Sequence, residues 1–169
     1  ADETTLAELN KRYIPGFTPS KDSNYIRLTT HNYQAQAVND HELAQLQSEE
    51  HTYTAEVEGV FPETSYPADK QLVLKQGAQV MFIKNDLEKR FFNGMIGEVV
   101  SLDSNNIVVK SKESGEAFSL EKAEWANCKY TIDNETKEIK ETVEGVFRQY
   151  PLRLAWAITI HTVSYTHLR

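Results

Sequence analysis

Two small polar clusters carry the side chains that can hold an anion. Thr30, His31 and Asn32 stand early in the chain, and Thr159 and His161 stand near its end. Hydroxyl, carboxamide and imidazole groups all donate hydrogen bonds to phosphate-type oxygens. Thr159 and His161 close the run Pro151–His161, PLRLAWAITIH, which splits cleanly by odd and even positions. Leu152, Leu154, Trp156, Ile158 and Ile160 would share one face of a strand, and Arg153, Ala155, Ala157, Thr159 and His161 the other. The alanines keep a helix possible there. Thr30, His31 and Asn32 stand where a β-rich run, Tyr25–Thr29, meets helical spacing that extends from Tyr33 to about Gln47. A helix beginning at that point leaves early N–H groups unpaired, to be capped by Thr30 or Asn32 or to hold a phosphate. A plain cap with no ligand is the alternative.

Other chemistry finds little support. His41 and His51 are isolated among acids, and five histidines and one cysteine show no metal-ligand spacing. Cys128 has no histidine beside it and is expected to be a buried structural thiol rather than a nucleophile. A single cysteine excludes an internal disulfide and fits a reducing, cytoplasmic setting. No G-x-x-x-x-G-K-[ST] phosphate cradle occurs. No apolar run reaches the ~20 residues of a membrane helix, so no membrane partner is expected.

The 169 residues carry a formal net charge of -7, and mean hydropathy is -0.54. That balance argues against a free-standing nucleic-acid binder with a basic face. The charge is uneven, however. Acids crowd 42–63 and 113–144, and none follows Glu144, while Arg148, Arg153 and Arg169 remain. The end of the chain should therefore be locally cationic.

These clusters need a scaffold. Residues 1–10 read as a short helix, and 11–19 as a connector broken by Pro15, Gly16 and Pro19. The strand, polar turn and helix of 25–47 form an α/β unit. A strand candidate at Tyr53–Val60 lies within a polar crossing segment, 53–70. From Gln71 the period becomes two. Short strands at 72–74, 78–83, 97–102, 107–110 and 117–120, separated by turns such as Asn93-Gly94, predict a small barrel. Residues 125–132 and 138–147 predict an exposed hairpin about Asp133–Thr136. Phe91 or Phe92 should belong to the barrel core. The predicted fold class is α/β plus all-β, with a β insert inside an α/β domain.

Several stretches, taken in order, resemble the PIF/RecD-like branch of superfamily 1 DNA helicases. Ala155–His161, AWAITIH, resembles the opening of that family's motif A-W-A-x-T-x-H-K-x-Q-G. Leu9–Tyr13, Tyr25–Asn32 and Asn39 resemble the entry into its second RecA-like lobe. Leu72–Met81, Asn85-Asp86 and Asn93–Gly97 resemble its inserted SH3-like barrel.

The resemblance implies a partial RecA-like lobe over 1–52, an SH3-like insert over 71–145 and a return strand over 146–161. Residues 162–169 depart from the family, resemble an adapter-derived tail and are read as foreign. It implies that Thr159 and His161 lie beside the DNA backbone, and that Thr30, His31 and Asn32 form the other DNA-facing turn. Lys84, Lys89 and Arg90 are the insert's candidate DNA contacts, although Asp86 and Glu88 among them leave a neutral loop as an equal reading. The implied partners are single-stranded DNA and a missing N-terminal RecA-like motor domain. ATP and Mg²⁺ belong to the parent helicase, with no cofactor site and no catalytic residue in this stretch. The expected function is a fragment of an ATP-dependent 5′-3′ DNA helicase, inactive alone. The alternative is a non-enzymatic SH3-like module that binds protein or peptide.

Overall fold

The computed structural model describes residues 10–11, 14–18, 20 and 25–160. The expected helix over 1–10, His161 and the tail over 162–169 lie almost wholly outside them. Among the described residues no helix is long and apolar enough to cross a membrane.

The β-branched and aromatic run after Asn24 yields a short strand, β1 (Arg27–Thr29), followed by one helix, α1 (Asn32–Gln45). The helix buries Ala35, Asn39 and Leu43, residues spaced four apart along one face. Its N-cap is His31, in extended conformation, with no side-chain hydrogen bond across the cap. The expected capping by Thr30 or Asn32 is therefore not seen. Thr30 turns its hydroxyl toward His31 instead, Oγ1 lying 2.8 Å from Nδ1.

The candidate strand at 53–60 is two strands, β2 (Glu50–Thr54) and β3 (Glu56–Gly59). They divide at Ala55, whose N–H donates to the Lys70 carbonyl at 2.7 Å. There follow β4 (Gln71–Lys75), β5 (Gln79–Phe82), β6 (Ile96–Leu102), β7 (Ile107–Ser111), β8 (Ala117–Leu120), β9 (Ala123–Ile132) and β10 (Ile139–Gln149). These match the period-two segments of the sequence to within two residues at most ends.

Pairing departs further from expectation. Strand β4 pairs antiparallel with β2 in a two-stranded sheet, across the position where an insert was expected to begin. The next four strands join β11 (Leu152–Leu154) in an antiparallel sheet of order β11-β5-β6-β7-β8. The ladder ends at β11 on one side and β8 on the other, so the expected closed barrel is not formed by the hydrogen bonding of the described residues. Strands β3, β10 and β9 make a third sheet.

The run Pro151–His161 is not one strand. It breaks at Ala155-Trp156 into β11, in the five-stranded sheet, and β12 (Ala157–Thr159), in another. Strand β12 pairs in parallel with β1, with Thr29 opposite Thr159. Burial also inverts across the break. Leu152 is buried, but further along it is Ala155, Ala157 and Thr159 that are buried, while Ile160 is 46% exposed. The cause is α1, which packs on the small-residue face, because alanine allows a helix to approach a strand closely. On the opposite face Leu154 and Trp156 pack against the main core, whereas Leu28 is 57% exposed.

One core serves both parts. Leu43 of α1 joins Leu72, Leu74, Val80, Phe82, Val99, Val109 and Leu152 in a single cluster. Phe91 is in it, stacked on Phe82 at 4.3 Å, whereas Phe92 is 52% exposed. A second cluster centres on Phe147 with Ala55 and Ala68. Cys128 is half-buried on the β9–β10 ribbon and not in either core. The expected burial of this thiol is therefore not found; a hydrogen bond with the Glu141 carboxylate raises its pKa, which disfavours the thiolate.

Candidate nucleic-acid interface

The parallel pair β1–β12 ends at Thr29 and Thr159, side by side. In α/β sheets ligands gather just beyond the carboxyl ends of the strands. The chain leaves that edge through Thr30, His31 and Asn32 on one side and Ile160 on the other. Thr29 closes the junction, its hydroxyl within 3.3 Å of the Ile158 carbonyl and 3.2 Å of the His31 carbonyl. Two pieces of chain 129 positions apart in sequence are thus joined at one edge.

Thr30, His31 and Asn32 are all exposed. His31 accepts at its carbonyl from the N–H groups of Gln34 and Ala35. With no side chain across the cap, the start of α1 presents its first amides to solvent, together with its dipole. Thr159 differs from expectation, being only 6% exposed. It borders an open groove of ≈ 270 Å³ that also exposes Asn32, Gln36, Asp40, Asp69 and Arg153.

Sequence reading did not single out Tyr33. It is 68% exposed, and its ring centroid lies 5.4 Å from that of His31. An exposed aromatic next to a donor-rich turn was the available signal.

The insert's cations are mostly committed elsewhere. Lys84 donates to the Glu124 carbonyl and lies 4.9 Å from the Trp125 ring centroid. Arg90 grips Asp86 by Nε at 2.7 Å and by its second guanidinium nitrogen at 3.2 Å, and reaches Glu88 at 3.3 Å. The Arg90 guanidinium holds the Asp86 carboxyl below its ordinary range. Lys89 is exposed, in a left-handed conformation at φ 59, with no ion pair among the described residues. No hydrogen bond, ion pair or ring contact among the described residues joins this loop to Thr30, His31 or Asn32.

The expected local excess of positive charge is also reduced by folding. Arg148 is bracketed by Glu58 at 3.0 Å and Glu124 at 2.8 Å, and Arg153 shares its groove with Asp40 and Asp69. Among the described residues no three His, Cys, Asp or Glu groups cluster to hold a metal ion, and no glycine-rich phosphate loop precedes α1. These residues do not fit ATP and Mg²⁺ by themselves.

No protein-family model matches the chain. The ATP-dependent DNA helicase Pif1 of Psychrobacter sp. (strain PRwf-1) is 31% identical over 86% of this chain, which spans 29% of that relative's length. The crystal structure of Bacteroides sp Pif1 in complex with ADP-AlF4 superposes with a TM-score of 0.85 at 35% identity, over 96% of this chain and 36% of that one. A crystal structure of Bacteroides Pif1 bound to ssDNA gives a TM-score of 0.73 at 34% identity, over 95% of this chain and 36% of that one. A mixed segment of little helix and mostly sheet, matched so fully, falls in the class of DNA helicase domains. The chain belongs to the PIF/RecD-like branch of superfamily 1 helicases, whose matched members carry the name Pif1.

Proposed function

We propose that this chain is a part of an ATP-dependent 5′-3′ DNA helicase, holding one side of its second RecA-like lobe and the β insert within it. The observation that carries this reading is the parallel register of Arg27–Thr29 with Ala157–Thr159. It joins β1 and α1 to β12 in one α/β unit, with the strands that follow α1 inserted between them. The exposed Leu28 side chain agrees, because parallel sheets are ordinarily covered on both faces. Further elements of the same lobe would cover it. The ladders β2–β4 and β5–β11 argue for an insert running from Glu50 to Leu154, wider than the strand periods alone suggest. Its turn-rich antiparallel sheet, with a register shift between Val99 and Ser101, is read as an SH3-like module.

Single-stranded DNA is the proposed ligand of the turn at Thr30, His31 and Asn32. Donors of this kind hold phosphates without reading bases, as a translocating motor requires. Tyr33 offers a ring on which a base can stack. Thr159 and His161 would flank the same strand, and Lys89 is the insert's remaining cationic contact. ATP and Mg²⁺ would be held chiefly by the other motor lobe. A peptide-binding module is not favoured by the matched relatives.

The test is fluorescence anisotropy with labelled oligo-dT across a salt series. Binding should fade with salt, by a slope of about 0.7 per phosphate contact on single strands. His31→Ala should weaken it. Lys89→Ala should remove about one contact's worth of slope, and Arg90→Ala almost none, since Asp86 and Glu88 already neutralise it. Absence of binding at low salt would sink the proposal.

A further inference from the structure

The geometry points to Asn39 as a positioning residue for the DNA-facing edge, an inference that rests on the DNA reading above. Asn39 lies inside α1 and is 8% exposed, between buried Ala35 and Leu43. A buried carboxamide is costly unless its hydrogen-bonding groups find partners. Here they do. Its Oδ1 accepts from the Ala157 N–H at 2.8 Å, and its Nδ2 donates to the Ala157 carbonyl at 3.0 Å and, more weakly, to the Leu154 carbonyl at 3.4 Å. Both backbone groups of one residue are taken, as a neighbouring strand would take them. The side chain therefore stands in for a strand at the point where the chain leaves the insert's sheet.

Gln79 grips Ala155 similarly from the insert side. Its Nε2 donates to the Ala155 carbonyl at 2.9 Å, and its backbone carbonyl accepts from the Ala155 N–H at 2.8 Å. Between the two, the Trp156 carbonyl accepts from the Arg27 N–H at 2.9 Å. Ala155, Trp156 and Ala157 are thus each held by at least one backbone group.

The consequence is positional. Asn39 lies about two helical turns along α1 from Asn32, and it holds the residue two before Thr159. One carboxamide fixes the turn that begins its own helix against the strand end 118 positions later. An apolar side chain of similar volume could fill the space but could not set this alignment. Asn39 lines the inner wall of the groove beside Thr159, but its carboxamide is committed to Ala157 and Leu154, so it acts through Ala157.

The test uses the full chain and labelled oligo-dT. Asn39→Leu should weaken binding by about tenfold while leaving the salt slope unchanged, because no phosphate contact is removed. His31→Ala should then cost less in the Asn39→Leu background than in the parent. Asn39→Asp keeps the acceptor for the Ala157 N–H but turns a carboxylate oxygen toward the Ala157 and Leu154 carbonyls, so it should not recover the affinity. The control is Gln149→Leu. Gln149 is a fully buried amide holding the carbonyls of Tyr53 and Asp69 at 2.8 and 3.0 Å, and it should lower stability without changing affinity. Asn39 variants that bind within about twofold of the parent, or a Gln149→Leu loss equal to that of Asn39→Leu, would overturn the inference. Failure of the parent to bind overturns the DNA reading and this inference together. If Asn39→Leu does not fold, amide exchange in the parent decides. Protection of the Ala157 N–H comparable to that of Val109 supports the clamp, and loop-like exchange overturns it.

Discussion

Gly145 offers a substitution whose sign, as well as its size, separates two accounts of the β3–β10 crossing. A Cβ built on Gly145 would lie 2.1 Å from the Val60 carbonyl oxygen, 2.5 Å from its carbon and 2.8 Å from the Val60 nitrogen. These are backbone atoms, so no rotamer change relieves the overlap. The segment is also tied down, with the Val60 N–H donating to the Glu144 carbonyl at 2.9 Å and Gly145 paired with Gly59 in the ladder. Gly59 meets the same obstacle from the other strand, its own Cβ position lying 2.4 Å from the Glu144 carbonyl. Gly145→Ala must therefore push the strands apart by about 1 Å and loosen the cluster of Phe147, Val57 and Phe61 behind them. Overpacking of this kind costs about 1–3 kcal/mol. For a chain of this size that lowers the melting midpoint by roughly 2–4 °C per kcal/mol. Were the site open, the same change would stabilise by about 0.4–1 kcal/mol through the unfolded chain. Urea denaturation and calorimetry of Gly145→Ala beside Gly115→Ala measure the difference. Gly115 has φ +75 and nothing within 4 Å, so it reports backbone strain without the clash. A Gly145→Ala protein as stable as the parent, or more stable, would refute the close approach.

Two further outcomes follow from the same structure. Burial, reinforced by Tyr150 and Asp103, pushes the Tyr53 phenol up to about 12, and its hydroxyl donates to the Asp103 carbonyl at 2.6 Å. A raised value favours the neutral phenol in the folded chain. The stability it represents is complete below the ordinary phenol value of about 10 and drains away as pH rises through 12. Tyrosinate absorbance should show this group ionising only near 12, a step removed in Tyr53→Phe, and ionisation of Tyr53 near 10 in the folded chain would contradict it. The isolated chain should show no DNA-stimulated ATP turnover; turnover that follows the protein through purification would place nucleotide machinery here after all.

Local periodicity carried much of the architecture. Strand β1, the helix that follows, the five short strands from β4 to β8 and the β9–β10 hairpin lie where spacing and turn residues put them. Each depends on interactions between near neighbours, which a linear reading captures. The set of stretches resembling a helicase family was also legible, because it depends on residue types in order.

What the sequence left open was always a matter of partners. The alternation of Leu152–Ile160 is real, but alternation specifies a face and not a sheet, and the stretch divides between two sheets at Ala155-Trp156. Arg148, which looks unopposed in sequence, meets Glu58 and Glu124 brought from 90 and 24 positions away. Thr159 sits at a strand end as read, yet α1 covers it. Asn39 could be noticed as a residue type but not given a task, because its task depends on a backbone 118 positions distant. Amino-acid order alone determined which segments form strands and a helix and which family they resemble. The tertiary structure decided which charges remain free and which edge gathers the exposed donors, because long-range pairing alone sets distance and desolvation.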